Sequence, residues 1–197
     1  VALRCATWIS PCDRLEAMMA SLTERMLGAA KLDVATYEEV EADATATPQA
    51  MLVVVVANLA AGVGAVRELG VGGLLVTTLI SLIGWYAWAF VTYFVGTRFL
   101  PGPRTQADVG QLLRPIGFSA TPGLIRVLGI VPGLNWLVSL VAALWMLVAM
   151  VVAVRQGLDY ESTGRAVAVC LIGWVINIVV FLVLAALLGV PAMVPGS

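Results

Sequence analysis

The chain has 197 residues, a formal net charge of −1 and a hydrophobic fraction of 61%, with a mean hydropathy of +1.00. That apolar share exceeds the soluble norm of about half, the length leaves no room for a separate globular catalytic unit, and the near-neutral charge argues against nucleic acid as a partner. There is no histidine, so the usual general base, metal ligand and pH switch are missing.

Residues 44–66, 69–97, 127–154 and 166–197 contain no Asp, Glu, Lys or Arg. Crossing the apolar core of a bilayer takes about 20 residues, and each stretch is long enough. The chain therefore reads as all-α, a polytopic membrane helical bundle of five transmembrane helices with a short cytoplasmic N-terminal head. The expected organisation is a head over 1–47, a membrane domain over 48–190 and a short tail over 191–197. Residues 1–43 are polar and mixed in charge and do not read as a secretory signal. Met19 opens a cleaner segment, and residues 1–18 read as an upstream extension or as part of the native protein. Cys5, Cys12 and Cys170 lack Cys-x-x-Cys spacing and read as unpaired thiols.

In the head, Leu22, Met26 and Ala29 repeat at helical spacing, with Glu24, Arg25 and Lys31 elsewhere on the wheel. This pattern predicts a short amphipathic helix lying on the membrane or on the bundle. Thr36-Tyr37-Glu38-Glu39 reads as a capping box that starts a second helix at Thr36. Its apolar face would carry Tyr37, Val40 and Ala44. Glu38, Glu39, Glu41 and Asp43 make it acidic, either as a solvated helix start or as a protein-docking surface.

Span 1 begins at Thr47-Pro48, a cap followed by proline, and runs to about Val66, with Arg67 and Glu68 at its exit and Gly70, Gly72 and Gly73 in the turn. Ala57, Ala60, Ala61, Gly62 and Gly64 make it a central packing helix. Span 2 covers about Leu74 to Val95, followed by Arg98, Arg104 and the breaker Pro101-Gly102-Pro103. Thr105-Gln106-Ala107-Asp108 reads as another capping box. Span 3 is proline-punctuated: Pro115 and Gly117 interrupt it, Thr121-Pro122 restarts it, and Pro132-Gly133 stops it. Span 4 runs from the cap Asn135 to about Val154, and span 5 from about Ala166 to Gly189. Five spans with the head inside keep Arg98, Arg104, Arg114, Arg155 and Arg165 on the cytoplasmic side, as the positive-inside rule favours. A re-entrant third span would give four crossings and place Arg155 and Arg165 outside.

Polar residues inside the spans are few: Asn58, Thr77, Thr78, Ser81, Arg126, Ser139 and Asn177. No acid lies deep in a span, which weakens a proton- or cation-coupled carrier. A serine protease would want a histidine beside its serine, a zinc site lacks ligands, and no P-loop is present. No catalytic, cofactor-binding or metal-ligating residue is therefore expected, and no cofactor. Arg126 either snorkels to the outer edge, has a buried partner such as Asn58, Asn177 or carbonyls freed near Pro122, or meets an anionic lipid or substrate. Asn58 and Asn177 read as interhelical hydrogen bonders. The candidate functional residues are Arg126, Asn58, Asn177, Pro122, Tyr37, Glu38 and Glu39.

Several short motifs occur in a fixed order. They are Tyr37-Glu38-Glu39-Val40-Glu41-Ala42-Asp43, Pro48-Gln49-Ala50, Gly84-Trp85 and Tyr93-Phe94-Val95-Gly96-Thr97-Arg98. Then come Leu112-Leu113-Arg114-Pro115-Ile116-Gly117-Phe118-Ser119-Ala120-Thr121-Pro122, Trp145, Val152-Ala153-Val154-Arg155-Gln156-Gly157-Leu158-Asp159 and Arg165-Ala166. In order and spacing, from about Met26 to Gly189, the chain resembles the Yip1 family of five-span membrane proteins, in its bacterial branch. The resemblance implies a cytoplasmic head and an exterior or lumenal C-terminus, and hence a bacterial inner-membrane location. Eukaryotic members bind Rab-type GTPases through an acidic head motif with consecutive prolines and leucines. Only Tyr37-Glu38-Glu39 is similar to that motif here, so GTPase binding is not transferred.

The function expected from these features is non-enzymatic: organising partner proteins or lipids at the bilayer, with trafficking and membrane shape as the family analogy. The alternative is a small transporter or channel whose path follows the broken third span. The expected partners are membrane lipids, a cytoplasmic protein reached through the head, and a second copy of the chain.

Overall fold

The computed structural model describes residues 11–62, 66–103, 105, 107–131 and 133–187. All the regular elements among them are helical. The expectations for Cys5, Gly64, Arg104, Gln106, Pro132 and the tail 191–197 lie outside the described residues.

The head is a helical hairpin of α1 (Pro11–Ala30) and α2 (Val34–Ala42). Leu22 and Ala29 are buried as their spacing predicts, and Met26 packs against the core. The turn closes with Leu32 N–H on the Ala29 carbonyl and Asp33 N–H on the Gly28 carbonyl. This is the paired bonding that ends a helix on a left-handed residue, and Leu32 takes that position at φ 62°. The cap of α2 is Asp33, not Thr36. Thr36 already lies inside the helix, and its hydroxyl donates to the Asp33 carboxylate at 2.7 Å.

A short 3-10 turn, Ala44–Ala46, leads into α3 (Thr47–Gly62). Next comes α4 (Val66–Arg98), kinked at Gly70, whose φ of 64° is not helical. Arg67 and Glu68 thus stand in the first turn of α4 rather than in a loop. The third expected span is not one helix. It consists of α5 (Val109–Phe118) and a 3-10 segment, Thr121–Ile130. Pro115 and Pro122 each remove a backbone donor, and a turn at Ser119 and Ala120 separates the two pieces. The capping box of α5 is Asp108 with Gln111, three residues beyond the expected Thr105. The chain ends in α6 (Asn135–Gly157) and α7 (Thr163–Leu187). The residue preceding α6 is Leu134, so Asn135 is its first turn rather than its cap.

Four of these helices are long and apolar enough to cross a membrane: Ala44–Gly62, Gly72–Arg98, Asn135–Gly157 and Thr163–Val180. The broken element falls short because neither piece exceeds ten residues. It nevertheless runs antiparallel to α6 along its whole length. Leu112 and Pro115 of α5 lie against Gly157 at one end of α6, and Gly129 meets Asn135 at the other.

Close approach between these layers depends on small residues. Gly117 lies against Ala50 and the Trp85 ring, and Gly123 fits between Met146 and Ala57. The face of α3 formed by Ala50, Val53, Val54 and Ala57 is buried, in keeping with a central packing helix. By contrast, Leu79, Ile80 and Ile83 of α4 and Leu144 and Leu147 of α6 point outward. Such a continuous apolar exterior suits lipid and not water.

Candidate functional site

One end of the bundle collects the head, the C-terminal ends of α4 and α6, and the start of α5 and α7. Here α2 lies across α5 and α6 with Tyr37 and Val40 fully buried. The Tyr37 hydroxyl donates to the Ala29 carbonyl at 3.1 Å, and burial pushes its phenol well above the ordinary range.

Arg114 of α5 is the main anchor of α2. Only 7% exposed, it donates Nε to the Val40 and Glu41 carbonyls, at 3.0 Å each. Its Nη2 also reaches the Glu41 carbonyl. These are the last carbonyls of a helix, left without intrahelical partners and at the negative end of its dipole, so a cation fits both needs. From α6, Gln156 donates to the Glu38 carboxylate at 2.9 Å, and the Trp145 indole donates to the Ala30 carbonyl at 2.8 Å. From the loop before α7, the Tyr160 hydroxyl reaches the Gly96 and Leu100 carbonyls at 3.0 and 2.7 Å. That contact ties α4 to the same platform.

Among the described residues, no carboxylate of the acidic segment pairs with Arg98, Arg114, Arg155 or Arg165. Arg25 of α1 pairs with Glu39 and Asp43, both at 2.6 Å, and with the Gln49 carbonyl oxygen at 2.6 Å. Arg25 thus neutralises Glu39 and Asp43 from within the hairpin, while Arg114 holds the backbone. The Thr45 hydroxyl, aided by Arg25, keeps the Asp43 carboxyl below the usual carboxylate range. Burial pushes the Glu41 carboxyl up to about 7; Asp159, Glu38 and Asp108 add to this and Arg114 opposes it. Glu38 and Glu39 stay exposed.

The remaining candidate residues lie apart from this platform. Asn58 is an interhelical hydrogen bonder as expected: it accepts from the Ser81 hydroxyl at 2.8 Å and donates to the Val54 carbonyl at 2.8 Å. Asn177 is exposed on α7 and has no hydrogen bond among the described residues, contrary to that expectation. Pro122 is buried at the start of the 3-10 segment. Arg126 is half-buried and has no hydrogen-bond or ion-pair partner among the described residues. None of the buried partners named as an alternative to snorkelling meets it: Asn58 is engaged by Ser81, Asn177 faces outward, and no carbonyl near Pro122 accepts from it among the described residues.

Arg25 and Arg114 carry the junction, and neither stood out as a candidate. Arg114 had one visible signal, a lone cation inside the apolar run Leu112-Leu113-Arg114-Pro115-Ile116. Arg25 had none, because its partners lie 14 and 18 residues away. The family model described as Yip1 domain matches residues 35–185. No curated protein and no solved structure matches the chain.

Proposed function

The chain belongs to the Yip1 family, and from that premise we propose that it is a non-enzymatic integral membrane protein that organises a protein partner at the cytoplasmic face through its docked head. The observation that carries the reading is the way α2 is held. Arg114 fixes its carbonyl end from below, while Glu38, held only by the neutral Gln156, stays exposed beside the Arg25-paired Glu39. A rigid acidic face at the bilayer surface is repelled by anionic lipid and complements a basic protein surface.

The topology we propose has five crossings, with α5 and the 3-10 segment together as the third. Irregular backbone at membrane depth is tolerated where protein covers it. Thr121, Pro122 and Gly123 are buried, and the Ser119 and Thr121 hydroxyls donate to the Ile116 and Phe118 carbonyls at 2.7 Å each. The head, Arg98, Arg114, Arg155 and Arg165 then share the inner side, and the C-terminus is outside. A reporter fused at Ser197 should be active on the outer side of the inner membrane, and a cytoplasmic reporter signal would overturn the topology.

The alternative is a small transporter using the broken third pass. The packing of Gly123 between Met146 and Ala57 disfavours an open path there. A photocrosslinker at position 38 or 39 should form protein adducts in intact membranes that disappear when Arg114→Ala unseats the head. Solute flux through purified protein in sealed liposomes, without such adducts, would decide for the transporter.

A further inference from the structure

A cavity of about 480 Å³ lies between α4, α6 and α7, away from the head platform. Its walls include Trp88 of α4, Met146 and Met150 of α6, and Cys170 and Trp174 of α7, with Arg126 as the only charged residue among the described ones. The volume lies in the ordinary range for a ligand site, about 300–1,000 Å³. The rim is open to the side, where Leu147, Leu171 and Trp174 are 64%, 60% and 63% exposed. In a membrane that side faces acyl chains and not water.

Two features give the cavity its chemistry. Gly129 meets Asn135 and Gly123 meets Met146, so Arg126, midway between the two glycines, stands at the end of the cavity nearer the start of α6. Its guanidinium carries five donors and a permanent charge and has no partner among the described residues. The Trp88 indole N–H in the same wall is also buried without a partner, and buried donors without acceptors are uncommon in folded proteins. The cavity therefore supplies an apolar trough, a cation at one end and, among the described residues, no counter-charge.

We propose that this groove holds one acyl chain of an anionic glycerophospholipid from the surrounding bilayer, with the lipid phosphate paired to Arg126. A guanidinium matches phosphate oxygens through two parallel donors. The apolar walls accept the chain, and the open side lets the lipid enter from the membrane. A zwitterionic lipid offers the same phosphate with a neutralising ammonium beside it and gains less from an unpaired cation.

Native mass spectrometry of the purified full chain, equilibrated with dioleoylphosphatidylglycerol or dioleoylphosphatidylcholine, tests the assignment. Wild type should retain one phosphatidylglycerol with a preference of about tenfold over phosphatidylcholine, the size of one charge-assisted contact. Arg126→Gln should bring the ratio close to one, and Arg126→Lys should keep most of the preference. Ala143 lines the groove and is exposed, so Ala143→Trp should fill the groove without upsetting the core and should lower retention of both lipids several-fold. Unchanged thermal melting of each variant shows that the fold is intact. Equal retention of the two lipids by wild type, an undiminished preference in Arg126→Gln, or full retention in Ala143→Trp would each overturn the proposal.

Discussion

The indole of Trp145 donates to the carbonyl of Ala30 at 2.8 Å across 115 residues of sequence. Arg155 stands ten residues further along α6, a rise of about 15 Å. The tip of the head hairpin therefore reaches well up the side of α6 and does not hang from its end. Leu27 and Val34, which flank the tip, are 56% and 42% exposed. Those exposures suit contact with the surrounding lipid.

Replacing Trp145 with Phe keeps most of the ring and removes only the donor. The Ala30 carbonyl then loses a bond whose net contribution is about 0.5–1.5 kcal/mol. In membrane vesicles, protease should cut near Lys31 several-fold faster in the variant, while the spans remain inserted. Identical cutting rates would mean that the tip is held by packing alone.

Gly117 tests the close approach of α5 to α3 and α4. A Cβ there would meet the Ala50 Cβ at 2.8 Å, the Ala50 carbonyl at 3.1 Å and the Trp85 ring at 3.1 Å. The Trp85 indole is already fixed, donating to the Leu113 carbonyl at 3.0 Å, so the ring cannot swing away freely. Gly117→Ala should destabilise by about 1–3 kcal/mol through overpacking. Gly84→Ala, on the same α4 as Trp85 but with open space around it, should be close to neutral. Thermal melting in detergent that ranks the two alike would contradict this packing.

Much of this architecture was readable from charge and apolar runs. The stretches without Asp, Glu, Lys or Arg coincide with α3, α4, α6 and α7, because lipid forbids charge in a helix whose outer face is bare. Leu22 and Ala29 revealed the buried side of α1 through their spacing. The boundaries were less legible: the boxes at Thr36 and Thr105 gave way to Asp33 and Asp108, each three residues off, since several Ser, Thr and Asp candidates compete at each start. The head junction was hidden for a different reason. Arg114 binds backbone carbonyls, which have no sequence signature, and Arg25 meets Glu39 and Asp43 only after the hairpin has closed. Charge pattern indicated an acidic segment near basic groups but not which cation it would meet.

Stability of the docked head should depend on pH through Glu41. In the folded chain its carboxyl is pushed from the ordinary 4.5 to about 7, by burial first and then by Asp159, Glu38 and Asp108 against Arg114. The folded state binds the proton more tightly than the unfolded one, so stability falls as pH rises from about 4.5 and the full penalty is reached above about 7. Asp43 shifts the opposite way, but it titrates only below its ordinary 3.8 and leaves this window alone. Head proteolysis should be slower at pH 5 than at pH 8, and Glu41→Gln should remove most of that difference. A wild-type head cut equally fast at both values would show that Glu41 ionises without cost.

Arg114 should be the most sensitive single position in the head junction. Removing its side chain leaves the Val40 and Glu41 carbonyls unpaired beneath α2, and an orphaned buried acceptor costs about 1–3 kcal/mol. It also withdraws the cation from the helix C-terminus, a further loss of about 0.3–1 kcal/mol. Lysine cannot substitute well, because a single ammonium lacks the planar fork that serves both carbonyls at once. Arg114→Ala should therefore lower the melting temperature in detergent and release the head to protease, and Arg114→Lys should recover less than half of the loss. Truncation of the head itself discriminates further. If the role of Arg114 is to hold α2, Arg114→Ala should not destabilise a chain lacking residues 1–46 beyond the cost of its own desolvated cavity. A full additional loss in the truncated chain would mean that Arg114 supports the membrane helices directly rather than the docked head.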